Sequence, residues 1–105
     1  MPAFRSIVIL CTALLATLLM AAACETAPPV QEMSDARQAI AVAREAGAAD
    51  LAAVELKAAE EFLQSAERKL NERNYPQARR DAMHAKIKAV NAIQLSESGK
   101  ENGTD

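Results

Sequence analysis

Between residues 56 and 70 the sequence sets Leu56, Ala59, Leu63, Ala66 and Leu70 at alternating steps of three and four. That spacing lays five apolar side chains along one face of an α-helix, whereas a strand would need them at every second position. The sequence therefore predicts a helix over about 51–73 whose apolar seam must find a partner, as in a helical hairpin or a coiled coil. The charges agree with this direction. Glu55, Glu60 and Glu61 stand toward the start, and Arg68, Lys69 and Arg73 toward the end, each complementing the helix dipole.

The next segment fixes the partner. Arg73-Asn74-Tyr75-Pro76 is a short link, and a short link turns the next helix back antiparallel. Pro76 suits a first helical turn, where its missing N–H removes no hydrogen bond. The third helix, about 76–96, carries Ala78, Ala82, Ala85, Ala89 and Ala92 on one stripe. A second, larger face carries Met83, Ile87, Val90 and Ile93. Two apolar faces call for two neighbours: the second helix, and either a preceding helix or another chain. A shorter helix over about 33–47 is expected upstream, with Ser34 as its cap, Met33, Ala36, Ile40 and Ala43 on one face, and Gly47 as its stop. The fold class expected is all-α, three helices in a hairpin-based domain over 33–95. Residues 96–105 have no large apolar side chain and read as a disordered tail.

The first quarter of the chain is of another kind. Arg5 is followed by a mostly apolar run over residues 7–20, then by Ala21, Ala22 and Ala23 ahead of Cys24. A charged start, an apolar centre and small residues before a cleavage point form the layout of a secretory signal, expected over 1–23. An uncleaved membrane helix is the competing reading, but it calls for about 20 apolar residues, more than this run supplies. The stretch ending at Cys24 resembles a bacterial lipobox. That resemblance implies cleavage between Ala23 and Cys24 and lipid on the Cys24 sulfur and amine. One acyl chain binds a membrane reversibly, whereas two or more anchor a protein durably. Glu25 follows the cysteine, where the familiar sorting rule uses aspartate for inner-membrane retention. The localisation expected is thus the outer membrane, facing the periplasm. Residues 24–32, with Pro28 and Pro29, read as an extended tether.

Composition excludes much chemistry. The formal net charge of −2 gives no basis for nucleic-acid binding. His84 is the one histidine, and Cys11 would leave with the signal, so no metal-ligand cluster is expected. Glu60 and Glu61 are adjacent, and adjacent helical residues point about 100° apart rather than converging. Ser34, Ser65, Ser96 and Ser98 lack any glycine-rich elbow. Arg79, Arg80, Lys86 and Lys88 spread around the third helix, as an ordinary solvated face does. No enzyme, no cofactor beyond the Cys24 lipid and no small-molecule substrate are expected.

Residues 36–92 resemble the bacterial family catalogued as domain of unknown function 4398. The resemblance rests on Ala36, Ile40, Ala43 and Ala46-Gly47-Ala48, then Glu55-Leu56, Ala59, Leu63, Ala66 and Leu70, then Asn74-Tyr75, Ala78 and Arg79. It implies a helix pair like one tetratricopeptide unit in a short envelope lipoprotein, and it supplies no catalytic residues. Such domains also stand ahead of peptidoglycan-binding domains. No such second domain is read in these 105 residues, so attachment to the wall is not expected. Where the family often has glycine before Asn-Tyr, Arg73 stands here, and Asn74 is expected to take any left-handed backbone angle. Two roles remain open. One is a structural or adaptor lipoprotein that binds itself or another envelope protein, with Met83, Ile87 and Val90 as the interaction face. The other is a regulator, inhibitor or activator, of a periplasmic cell-wall enzyme.

Overall fold

A computed structural model describes the chain from Pro2 to Gly103, with side chains at 2–19 and 27–103. Among the described residues there are five helices and no strand, so the protein is all-α. They are α1 (Pro2–Thr26), α2 (Val30–Glu45), the single turn α3 (Ala48–Leu51), α4 (Ala53–Asn71) and α5 (Tyr75–Asn102).

Alanine sets the packing. Ala78, Ala82, Ala85, Ala89 and Ala92 of α5 are all fully buried, and with only a methyl group each they let two other helices come close. Ile40 and Ala43 of α2, Leu56 and Ala59 of α4, and Ala89 and Ala92 of α5 form one cluster, with Ala48 and Ala52 beside them. Met33, Ala66 and Ala82 form a second cluster, with Leu70 against it. Residues 33 and 40–43 thus meet 82 and 89–92 in the same order, so α2 and α5 run parallel. Helix α4 meets both in the reverse order and runs antiparallel to them. Every buried residue of these two clusters lies between Met33 and Ala92, so the segment from Ala27 onward holds a complete core of its own.

Several boundaries differ from the sequence expectations, each for a local reason. Helix α2 starts at Val30 with Pro29 at its N-cap, so Ser34 is an exposed residue inside the helix and not the cap. The expected tether over 24–32 shrinks to residues 27–29, because α1 continues to Thr26 and Pro29 presets the backbone for α2. Gly47 does stop α2, in the left-handed region at φ 90°. The link beyond it is itself helical as α3, and the long second helix begins at Ala53 only after the extended Ala52, φ −149°. At the hairpin turn the left-handed residue is Arg73, φ 61°, while Asn74 has φ −88°. Asn74 instead donates its backbone N–H to the Lys69 carbonyl at 2.8 Å, closing the end of α4. The expected disordered tail is largely helix: α5 continues to Asn102, and Ser96 is fully buried, its hydroxyl donating to the Ala92 carbonyl at 2.7 Å. Gly99 explains how the extension packs. Leu51 of α3 lies 3.3 Å from where a Cβ would stand on Gly99, so the side chain of α3 rests on the glycine. Thr104 and Asp105 lie outside the described residues.

Among the described side chains of α1, residues 2–19, none belongs to this core. Phe4, Ile7, Leu10, Leu14 and Leu18 are all exposed, and residues 2–19 are long and apolar enough to cross a membrane. Ala23 and Cys24, the expected cleavage and lipidation residues, fall within α1 but outside the described side chains.

Candidate interaction groove

The helix seam read from the sequence is real but unequal. Leu56, Ala59 and Ala66 are buried, whereas Leu63 and Leu70 sit half-buried at the edges of the two clusters. Since the alanine stripe of α5 serves both α2 and α4, the larger face of α5 is only partly covered: Ile93 packs against the larger cluster, and the rest of the face stays open. Met83, Ile87 and Val90 are 51%, 54% and 37% exposed. They line a groove of about 500 Å³ whose other wall is α2, through Glu32 and Asp35, with Lys86 and Asn91 completing it. Both signs of charge therefore border an apolar floor. This is the composition of a surface that can exclude water at its centre and keep polar groups at its rim.

Ion pairs between helices hold the groove's walls. Arg79 reaches Glu32 at 3.3 Å and donates to the Ala27 carbonyl at 2.9 Å, tying the start of α5 to the start of α2. On the other side Arg44 pairs with Glu60 at 2.8 Å and Arg37 with Glu67 at 3.3 Å, joining α2 to α4. The two pairs joining α2 to α4 are substantially exposed and contribute little stability each. Lys88 stands 3.5 Å from Glu55, whose buried Oε2 makes no well-aligned hydrogen bond.

One buried carboxylate has no counterpart among the sequence expectations. Asp81 is 6% exposed, and both its oxygens are satisfied: Ser65 donates to Oδ2 at 2.7 Å and Gln77 to Oδ1 at 3.0 Å. The Ser65 hydroxyl proton is thus directed at a carboxylate, and the pair forms a polar bolt between α4 and α5. The spacing held a signal for Gln77, four residues before Asp81 on one helix face, but none for Ser65 across the turn. Among the other residues weighed for chemistry, His84 is exposed with its ring edge-on to Phe62, centroids 5.2 Å apart. Glu60 is engaged by Arg44, and no group of His, Cys, Asp and Glu among the described residues could hold a metal ion.

Comparison with known protein families matches residues 31–103 to the one described as Domain of unknown function (DUF4398). The chain belongs to the DUF4398 family. Neither a curated protein nor a solved structure matches it. The limits of the DUF4398 match coincide with the architecture: it begins one residue into α2 and ends just past α5. The family unit is thus the α2–α5 bundle, including the helical extension beyond residue 96, and α1 stands outside it.

Proposed function

We propose that the protein is a lipid-anchored envelope lipoprotein whose DUF4398 bundle is a non-catalytic interaction module, with Cys24 as the anchor and the α2–α5 groove as the contact face. The observation that carries this reading is the separation of two apolar surfaces. The described side chains of α1, residues 2–19, contribute nothing to the core, and the clusters within 33–92 still leave Met83, Ile87 and Val90 exposed. Exposed apolar strips on small domains mark contact surfaces. An anchor at the membrane raises the local concentration, so that modest contacts suffice. The Ala21-Ala22-Ala23-Cys24 stretch supports cleavage before Cys24, and the outer membrane facing the periplasm is the location this reading assigns.

Photocrosslinking in cells tests the contact face. A crosslinker in place of Ile87 should give a discrete adduct that one in place of Lys57, on the far side, does not. Adducts of a second copy identify a self-assembling structural lipoprotein, and adducts of another envelope protein identify an adaptor. Equal yields from both positions, or none from Ile87, would contradict the assignment of the groove.

A further inference from the structure

We infer that the tip of the bundle nearest the anchor, built around Arg68, Arg73 and Arg80, rests against the anionic headgroups of the membrane's phospholipids. The inference rests on the anchored reading above and adds how the module is held once anchored. The bond from Arg79 to the Ala27 carbonyl and the Met33–Ala66–Ala82 cluster put three features at one end of the bundle. These are the α1–α2 junction, the last turn of α4 and the first turns of α5. Between residues 68 and 80 that end carries Arg68, Lys69, Arg73, Arg79 and Arg80 against Glu72, and the first turn of α2 adds Glu32. At a rise of 1.5 Å per residue all five cations lie within about 8 Å of the turn, measured along the helices.

The opposite end has the reverse balance. Glu45, Asp50, Glu97 and Glu101 outnumber Arg44 and Lys100 there. A chain of net charge −2 is thus polarised along the bundle, positive toward the side from which the anchor leaves. Around single helices these cations are scattered; the hairpin turn is what gathers them. Two of them are committed, Arg79 to Glu32 and Lys69 to Glu72 at 3.5 Å. Arg68, Arg73 and Arg80 are exposed, and among the described residues Arg80 donates to the neutral Gln77 side chain. The left-handed angle of Arg73 puts a long cationic side chain at the turn itself, where glycine would be the easier residue. Basic side chains near an anionic bilayer are attracted over about a Debye length, and the effect adds residue by residue.

The test uses the segment 27–105, which keeps both core clusters and lacks α1 and Cys24, after circular dichroism has verified its helical melt. Sedimentation with vesicles of phosphatidylcholine alone, or phosphatidylcholine with phosphatidylglycerol, measures binding at low salt. Binding should require phosphatidylglycerol and weaken as salt rises. Each neutralised tip cation should weaken it about fivefold, so Arg68→Gln, Arg73→Gln and Arg80→Gln together should weaken it about a hundredfold. The matched control Arg44→Gln, Lys57→Gln and Lys100→Gln removes the same charge elsewhere and should bind like the parent. Absence of binding to the anionic vesicles, equal binding to both vesicles, or equal loss in the control would overturn the inference. Palmitate labelling of the full chain at Cys24 is read separately. Labelled protein whose segment ignores lipid charge removes the tip contact and leaves the anchor; a lipid-binding segment with unlabelled Cys24 does the opposite.

Discussion

Among the described residues two hold left-handed backbone angles, and they differ in how comfortably they do so. Gly47 at φ 90° lacks the Cβ that would clash with its own carbonyl, and the space around it is ordinary, with Leu51 at 3.6 Å from a virtual Cβ. Gly47→Ala should therefore cost about 1–2 kcal/mol through backbone strain alone, read as a lower midpoint in urea unfolding. Arg73 carries that strain already. Arg73→Gly should raise the same midpoint by up to about 1 kcal/mol, and an unchanged or lower midpoint would show that the turn does not hold the angle in solution. Asp81 is the third informative residue. Removing Ser65 leaves a buried carboxylate oxygen without its donor, at a cost of about 1–3 kcal/mol. A double-mutant cycle of Ser65→Ala and Asp81→Asn should show coupling; additive effects would mean the two side chains do not meet.

At the scale of elements, legibility in the sequence follows from which signals are local. The period of Leu56, Ala59, Leu63, Ala66 and Leu70 and the glycine stop at residue 47 are local, and the helices they predict are present. The short link after residue 73 and the alanine stripe also suffice for the antiparallel hairpin. The start of α2 lies three or four residues earlier than Ser34 suggests, because serine is a favoured cap residue while the neighbouring Pro29 is equally able to open a helix. The end of α5 is illegible because its polar sequence gives no periodic signal. What holds it is Leu51 lying on Gly99, a contact made across the fold, together with the burial of Ser96. The bolt between Ser65 and Asp81 is invisible for the same reason. Leu63 is packed against the larger core cluster, so Leu63→Asp should unfold the segment 27–105 or strip its cooperative melt. Full helicity with an unchanged melt would show that the seam faces elsewhere.

As a whole, the molecule divides into the apolar helix α1, a reach of three residues, and a bundle with a bare groove and a basic tip. The proposed confinement at a membrane by lipid, self-association through the groove and headgroup contact at the tip can be tested separately. Light scattering of the segment 27–105 over a concentration series should show mass rising with concentration, and Ile87→Glu should abolish that rise while leaving the melt unchanged. A strict monomer whose Ile87→Glu variant loses stability would instead make the exposed strip part of a closed bundle. The central claim, that this bundle is carried by lipid on Cys24, is tested most directly by the intact mass of the protein extracted from the membranes of its native host. The expected species is a chain beginning at Cys24 and heavier by a diacylglyceryl group and an amide-linked acyl chain. A dominant species that retains residues 1–23 with an unmodified Cys24 would contradict it.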